Sequence, residues 1–135
     1  VGYDLSPGMI EQARRLGLYD RLEIEDMVSA LASEGAASAD LILSADAVIY
    51  LGDLRPLLTQ VFRVLSPDGL FVCTLETHDG EGVILGQGLR YAHSAAYVSQ
   101  ALAAAGLRQQ HLANASVRDE SAVPVPGLVV VASRA

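Results

Sequence analysis

Four carboxylates stand at or just after the ends of predicted strands. Asp4 follows the apolar start "VGY", Asp26 follows "LEIE", and Asp46 follows "LILSA", while Glu76 closes "LFVCTLE". In open parallel sheets, ligands bind beyond the carboxyl ends of the strands, so all four acids are candidates for one binding edge. Their summed charge disfavours an anionic ligand and favours hydroxyl groups, amines or a cation.

A second group of reactive side chains lies in "RYAHS", within a glycine-rich stretch at 77–94 that we interpret as a loop or lid. The candidate general bases are Tyr91, His93 and Glu76. The planar guanidinium of Arg90 could bind a carboxylate or phosphate of the acceptor through two hydrogen bonds. The alternatives are structural. His93 would then be the residue before a helix cap, and Arg90 a solvated surface charge.

Neither a metal site nor a cysteine nucleophile is predicted. The three histidines, His78, His93 and His111, are far apart and show no paired ligand spacing. Cys73 is the one cysteine, so no intrachain disulfide can form and a reducing compartment fits. Its place in the apolar run "GLFVCTLE" indicates a buried core thiol.

Strands and helices must alternate to position these groups. Ser6 and Pro7 are typical of a helix start and Gly17 of a helix end, and Asp53 is a plausible cap for a later amphipathic helix. Strands are predicted at 1–3, 21–27, 41–43, 70–76, 108–118 and 128–133, and helices at 6–17, 28–35, 53–69 (with a turn at 66–69) and 94–107.

This alternation predicts an α/β fold with a mostly parallel sheet and helices on both faces. The stretch "PVPG" at 124–127 reads as a hairpin-type link, so the last two strands are predicted to pair antiparallel. The length of 135 residues suits a single domain, 1–135.

Composition and charge disfavour two classes of partner, nucleic acid and membrane. The chain has no lysine and a net charge of -7, so it lacks the basic footprint of a nucleic-acid partner. Its apolar runs are too short for a membrane span, and no signal peptide is evident at its start. We therefore expect a cytoplasmic protein whose partner is neither nucleic acid nor membrane.

The order "GYDLSPGMIEQAR … LEIEDM … ADLILSADAVIYLGDLRPLLTQVFRVLSPDGLFVCTLE" resembles the Rossmann-like S-adenosylmethionine-dependent methyltransferases over most of the chain. The tail "GLRYAHSAAYVSQALAAAGL … VPGLVVVASR" is similar to a bacterial subgroup associated with TPR repeats. The resemblance implies methyl transfer from S-adenosylmethionine to a small-molecule or protein acceptor.

The resemblance also implies which residues hold the adenosine half of the cofactor. Asp4 would accept hydrogen bonds from both ribose hydroxyls, with Leu5 and Met9 as apolar contacts. Asp26 would accept from the adenine amino group, and the Met27 N–H would meet a ring nitrogen. The alternatives are a turn or helix-start acid for Asp4, a core-facing side chain for Met9, and an N-cap for Asp26.

At the methionine end, the resemblance places Ser44, Ala45 and Asp46 beside the cofactor and the substrate, with a helix cap as the alternative for Asp46. Tyr50, Glu76 and Arg90 are the implied substrate-binding residues. Tyr50 and Leu51 stand where many relatives carry a histidine, so no histidine base is expected there. Positioning alone can accelerate methyl transfer to an acceptor that is already nucleophilic, and a base such as Tyr91 or His93 serves a weaker one.

The family pattern also contains a first strand, a glycine-rich turn and a first helix, and no "GxGxG" string occurs in this chain. We therefore expect an N-terminally truncated domain in which two strands lack their shared neighbour and the cofactor binds weakly or not at all. Exposed sheet edges would favour pairing with a second copy. The alternative is a non-catalytic Rossmann-like module for dimerisation or protein interaction. A remnant of a dehydrogenase is a third interpretation.

Overall fold

The computed structural model describes residues 1–134, and at residue 117 the backbone alone. Contacts along the chain divide it into two compact units, Val1–Gly35 and Ala36–Ala135. Strands and helices alternate in both, which confirms the predicted α/β class. None of the described helices is both long and apolar enough to cross a membrane.

The first unit is a two-stranded parallel sheet with two helices. It consists of β1 (Gly2–Asp4), α1 (Pro7–Leu16), β2 (Leu22–Ile24) and α2 (Met27–Ser33). The local signals act as predicted: the Ser6 hydroxyl accepts from the Met9 N–H at 3.2 Å, and Gly17 ends α1 in the left-handed region at φ 65°. Because β1 and β2 are parallel, with Asp4 opposite Ile24, their carboxyl ends share one edge.

The second unit is a six-stranded mixed sheet with two helices and two single 3₁₀ turns. Its elements are β3 (Ala39–Ser44), a 3₁₀ turn at Val48–Tyr50, α3 (Arg55–Val64), β4 (Leu65–Glu76), β5 (Val83–Leu85), a second 3₁₀ turn at Gln87–Leu89, β6 (Tyr91–His93), α4 (Ala95–Ala104), β7 (Leu107–Glu120) and β8 (Val123–Arg134).

Strand β4 organises this sheet. It pairs in parallel with β3 up to Ser44 opposite Cys73, in parallel with β6 at Glu76, and antiparallel with β8. Apolar side chains of α3 recur at helical spacing and are buried together with those of β4, α4 and β8. This core contains Leu57, Leu58, Val61, Phe71, Cys73, Leu75, Val98, Leu102, Leu128 and Val130.

The antiparallel pairing of the last two strands is confirmed, but the predicted position of their link is wrong. The turn is Ser121–Ala122, both at positive φ (49° and 64°), and β8 already begins at Val123. This two-residue hairpin geometry normally takes Asn or Gly, so the sequence carries no local signal for it. Pro124 and Pro126 are accommodated in β8 because β4 pairs with it only from Gly127 onward.

Two other loop predictions also change. The stretch 77–94 contains a short antiparallel hairpin, β5 with β6, in place of an irregular lid. The predicted turn at 66–69 lies inside β4, which bulges between Leu65 and Leu70 opposite β3. Gly69 is needed there, because a Cβ would come within 3.0 Å of the Ala39 carbonyl oxygen.

The buried face of β4 can be tested by one matched pair of leucines. Leu75 is 1% exposed in β4, whereas Leu43 of the neighbouring strand is 67% exposed. We expect Leu75→Ala to lower the free energy of unfolding by about 2–5 kcal/mol, since it leaves a cavity, and Leu43→Ala to change it by about 0.5 kcal/mol or less. Urea unfolding of the full chain measures both, and equal losses would contradict this assignment of the core.

Candidate functional site

Asp4 ends β1 with its side chain exposed. One carboxylate oxygen, Oδ1, accepts a hydrogen bond from the Ser6 N–H at 2.7 Å, which orients the group at the start of α1. The described residues give Oδ2 no hydrogen bond. The carboxylate is therefore held in place while it keeps acceptor capacity for a ligand.

Two large apolar side chains near Asp4 in the sequence remain uncovered in the first unit. Leu5 is 69% exposed and Met9 is 53% exposed, whereas the neighbouring Ile10 carries the buried position of α1. The core-facing alternative for Met9 is therefore wrong. Exposed apolar groups beside a held carboxylate suit a ligand that has both a polar and an apolar face.

Asp26 caps α2. Its Oδ1 accepts from the N–H groups of Val28 at 3.1 Å and Ser29 at 2.9 Å. Hydrogen bonding from the Ser29 side chain, followed by that from the Ser29 N–H, holds the pKa of Asp26 below its usual value. The capping alternative is thus confirmed. Because both capping bonds use one oxygen, a second role toward a ligand is compatible with it. Met27, the first residue of α2, is half-buried.

A polar cluster that the sequence did not predict ties the first unit together. The Tyr3 hydroxyl donates to Glu34 Oε1, and Arg21 donates to Glu34, to Glu23 at 2.9 Å and to the Tyr3 oxygen at 2.9 Å. The hydrogen bond from Tyr3, followed by that from Arg21, lowers the pKa of Glu34. The cluster links β1 and β2 to the residue that follows α2.

In the second unit, Asp46 follows β3 in a strained backbone conformation with φ 52°. Its N–H donates to the Thr74 hydroxyl of β4 at 2.9 Å, which fixes this conformation, and Asp is one of the few residues that tolerate it. Ser44 is half-buried, and Ala45 and Asp46 are exposed. No side chain caps the following 3₁₀ turn, so the cap alternative for Asp46 is not supported.

Glu76, at the end of β4, is 9% exposed and is already paired. Arg118 of β7 donates to its Oε1 from Nε at 2.9 Å and from Nη2 at 2.7 Å. Because β8 lies between β4 and β7, the Arg118 side chain spans β8 to reach Glu76. This hydrogen bonding raises the pKa of Arg118. Arg118 is the partner that sequence reasoning missed, since 42 residues separate the pair.

The "RYAHS" residues comprise the second strand of the hairpin, Arg90 before it and Ser94 after it, which caps α4. His93 is fully buried with its Nε2 hydrogen-bonded to backbone carbonyls, so its ring is not placed to accept a proton from a bound acceptor. Tyr91 is half-buried, and Tyr50 is exposed. Arg90 is half-buried, and its Nε has no hydrogen-bond partner in the described part of the chain.

Cys73 is confirmed as a core thiol. It is buried in β4, and desolvation raises its pKa to about 12. A thiol in that state is protonated at neutral pH, and is therefore not a nucleophile. Among the described residues, no three His, Cys, Asp or Glu side chains come together in a group that could hold a metal ion.

Parallel strands followed by acids, with an antiparallel pair at the C-terminal end of the chain, define the Rossmann-like methyltransferase class of fold. Residues 1–73 match the family model described as "Methyltransferase domain", and the chain belongs to this family. The cofactor of this class is S-adenosylmethionine. The resemblance to proteins associated with TPR repeats stays a prediction.

One curated relative is the malonyl-[acyl-carrier protein] O-methyltransferase of Hahella chejuensis, which is 36% identical over 118 residues. That match covers 78% of this chain, and the chain spans 41% of the relative's length.

Two solved structures share the fold. A SAM-dependent methyltransferase from Methanosarcina mazei has a TM-score of 0.75 at 14% identity, over 98% of this chain and 80% of that one. The 1,6-didemethyltoxoflavin-N1-methyltransferase of Burkholderia thailandensis, solved with S-adenosylhomocysteine and 1,6-didemethyltoxoflavin, has a TM-score of 0.75 at 19% identity, over 98% of this chain and 59% of that one.

The pairing of Glu76 with Arg118 predicts an asymmetry between two arginines of the same strand. Arg118→Met leaves a buried carboxylate without its donors, whereas Arg108→Met changes an exposed side chain of β7. We expect Arg118→Met to lower the urea midpoint of unfolding clearly and Arg108→Met to leave it nearly unchanged. The double variant Glu76→Met, Arg118→Met should recover part of the loss, because no buried charge is left unpaired. Equal effects of the two arginine variants would contradict a structural ion pair.

Proposed function

We propose that this chain contributes the cofactor-binding part of an S-adenosylmethionine-dependent methyltransferase. The observation that carries the proposal is the state of Asp4, an exposed strand-end carboxylate that is oriented through one oxygen and keeps acceptor capacity at the other. A ribose offers two neighbouring hydroxyl donors, which a carboxylate can accept side by side.

The first unit would hold the adenosine half of the cofactor. Asp4 takes the ribose, and the exposed side chains of Leu5 and Met9 cover apolar surface of the nucleoside. Asp26 accepts from the adenine amino group while it caps α2, and the backbone N–H of Met27 serves a ring nitrogen. Each of these roles is a hydrogen bond or an apolar contact that the described geometry leaves available.

For the second unit, the family resemblance assigns residues to the methionine end of the cofactor and to the acceptor. Ser44 ends β3, Ala45 and Asp46 follow it, and these three residues would line the methionine end. The residues proposed to contact the acceptor are Tyr50, Glu76 and Arg90. When bound, S-adenosylmethionine supplies an electrophilic methyl group on a sulfonium, so an acceptor that is already nucleophilic needs only orientation. Tyr91 is the better placed of the two candidate bases, because the ring of His93 is buried.

The acceptor is proposed only as a small molecule or a protein side chain. The Hahella relative is named for malonyl-[acyl-carrier protein] and the Burkholderia structure for a toxoflavin precursor, so the likeness does not single out one acceptor. The net charge of -7 disfavours a nucleic-acid acceptor, and we propose a cytoplasmic location on the grounds given by the sequence.

The proposal is tested by titrating S-adenosylhomocysteine into the isotope-labelled chain and following amide shifts by NMR. We expect the shifts to concentrate at residues 4–9 and 26–29. We expect weak binding, because no "GxGxG" string is present to receive the methionine end. Asp4→Asn keeps an oxygen for the Ser6 N–H but loses the charge, and it should raise Kd by about tenfold or more, as for other charge-assisted hydrogen bonds.

Asp20→Asn is the matched control, an exposed aspartate of the same unit that lies between α1 and β2. It should leave Kd unchanged. Shifts that avoid residues 4–9, or an Asp4→Asn variant that binds as tightly as the parent chain, would refute the assignment of the ribose site.

A further inference from the structure

The turn at 51–54, which follows the 3₁₀ turn after β3, is held by the ring of His93. His93 Nε2 lies 2.8 Å from the Leu51 carbonyl oxygen and 3.2 Å from that of Gly52. The ring is fully buried, and it belongs to the last residue of β6. One side chain of the β5–β6 hairpin thus fixes two successive carbonyls of a distant segment.

Two tyrosines reinforce this contact. The Tyr97 hydroxyl of α4 accepts from the Leu54 N–H at 3.1 Å, and the Tyr97 ring lies 5.7 Å from that of His93. Tyr91 packs so closely on Gly52 that a Cβ there would come within 2.9 Å of its ring. The side chains of His93, Tyr91 and Tyr97, from β6 and α4, therefore all contact the same four-residue turn.

The backbone of His93 is itself anchored. Its carbonyl accepts from the Thr77 hydroxyl at 2.7 Å, and the next N–H, that of Ser94, donates to the Gly82 carbonyl at 2.9 Å. Ser94 also caps α4 by accepting from the Tyr97 N–H. The backbone that carries the ring is therefore held by Thr77, which follows β4, by Gly82, which precedes β5, and by the start of α4, and the 51–54 turn takes its position from them.

The hydrogen bonds also define the protonation state of the ring. Both partners of Nε2 are carbonyls, which only accept, so Nε2 carries the hydrogen and Nδ1 is the bare nitrogen. Within the described residues, the buried Nδ1 has no hydrogen-bond partner. Protonation of Nδ1 would create a buried charge and a buried N–H donor without an acceptor, and both are costly.

The net effect of the surroundings is to lower the pKa of His93. Burial lowers the pKa of His93, the carbonyls of Leu51 and Gly52 oppose the shift, and His78 adds to it. In the 51–54 turn, Asp53 forms an ion pair with Arg55, and the hydrogen bond from the Arg55 side chain lowers the pKa of Asp53 to about 2. Tyr97 is the titratable group on α4 that contacts the ring.

An open groove runs along this turn. It is lined by polar and aromatic side chains of the turn, the hairpin and α4, among them Asp53, Arg55, Tyr91, Tyr97 and Gln100. The turn directly follows Tyr50 and lies in the segment after β3 that we assign to the acceptor side. The shape of this groove therefore depends on the grip of His93.

We propose that His93 is a positioning residue: as the neutral Nε2–H tautomer it holds the 51–54 turn and shapes the acceptor-side groove. Protonation at Nδ1 leaves the Nε2–H donor in place but adds a buried charge and an unpaired N–H, so low pH favours an opened form of the turn in which water hydrates the ring. The role of the groove in binding an acceptor rests on the proposed function. The hydrogen bonds from His93 to the 51–54 turn, which we call the latch, do not require a cofactor. The direction of its pH dependence follows from the linkage between protonation of His93 and the stability of the folded turn. The latch is complete above the ordinary pKa of histidine and is lost as pH falls from that value through the lower pKa of the folded state.

Histidine side-chain NMR of the full chain measures the first consequence. His93 should show the Nε2–H tautomer with a bare Nδ1, and it should titrate at a pH below the ordinary pKa of histidine. Titration of His93 at or above the ordinary pKa of histidine, or an Nδ1–H tautomer for His93, would overturn the proposal. This arm needs no variant.

Amide hydrogen exchange measures the second consequence. Between about pH 7.5 and about pH 5.5, which bracket the ordinary histidine pKa, protection at 51–54 and 91–93 should fall about tenfold more than protection in the core of β8. His93→Gln keeps a neutral N–H donor, so protection in that variant should not change with pH. His93→Leu lacks the donor, and its turn should be poorly protected at both pH values. Equal pH dependence in the parent chain and His93→Gln would overturn the latch.

Failure of this proposal is distinguishable from failure of the proposed function. S-adenosylhomocysteine shifts at residues 4–9 report cofactor binding in the first unit, whereas the His93 tautomer and the exchange at 51–54 report the latch in the second. If the cofactor does not bind while the latch behaves as expected, only the proposed function fails. If protection at 51–54 depends on pH equally in His93→Gln and in the parent chain, but the cofactor binds, only the latch fails.

Discussion

The parallel pairing of strands is the constraint on which the candidate site depends. Parallel neighbours bring their carboxyl ends to one edge, so the residues that follow them are gathered wherever such a pair forms. In the second unit β4 pairs in this way with β3 and with β6. Asp46 follows the carboxyl end of β3, Glu76 ends β4, and His93 ends β6. In the first unit the pairing of β1 with β2 does the same for Asp4 and Asp26.

The four acids at these edges are held by different means, and this decides what each can do. Asp4 is oriented by a single backbone N–H, Asp26 is committed to a helix cap through one oxygen, and the carboxylate of Glu76 is engaged by Arg118. Asp46 is fixed through its own backbone, by the bond from its N–H to Thr74 and by its left-handed conformation, so its carboxylate remains exposed. A carboxylate that is positioned without being neutralised is the form expected of a ligand-binding group.

The features that could be predicted from the sequence are those fixed by short-range chemistry. The cap at Ser6, the stop at Gly17 and the burial of Cys73 each follow from a residue type and its near neighbours. The Ser121–Ala122 turn was missed because neither residue is typical of a hairpin with positive φ at both positions. The pairing of Glu76 with Arg118 and the grip of His93 on the 51–54 turn join segments about 40 residues apart, and such contacts leave no local pattern in a single sequence.

The central claim is that the first unit holds the ribose of S-adenosylmethionine through the carboxylate of Asp4. A crystal structure of the chain soaked with S-adenosylhomocysteine measures this most directly. The account predicts both ribose hydroxyl oxygens within about 2.5–3.0 Å of the Asp4 carboxylate, with the adenine against Leu5 and Met9. A bound nucleoside whose ribose makes no hydrogen bond to Asp4 would contradict it.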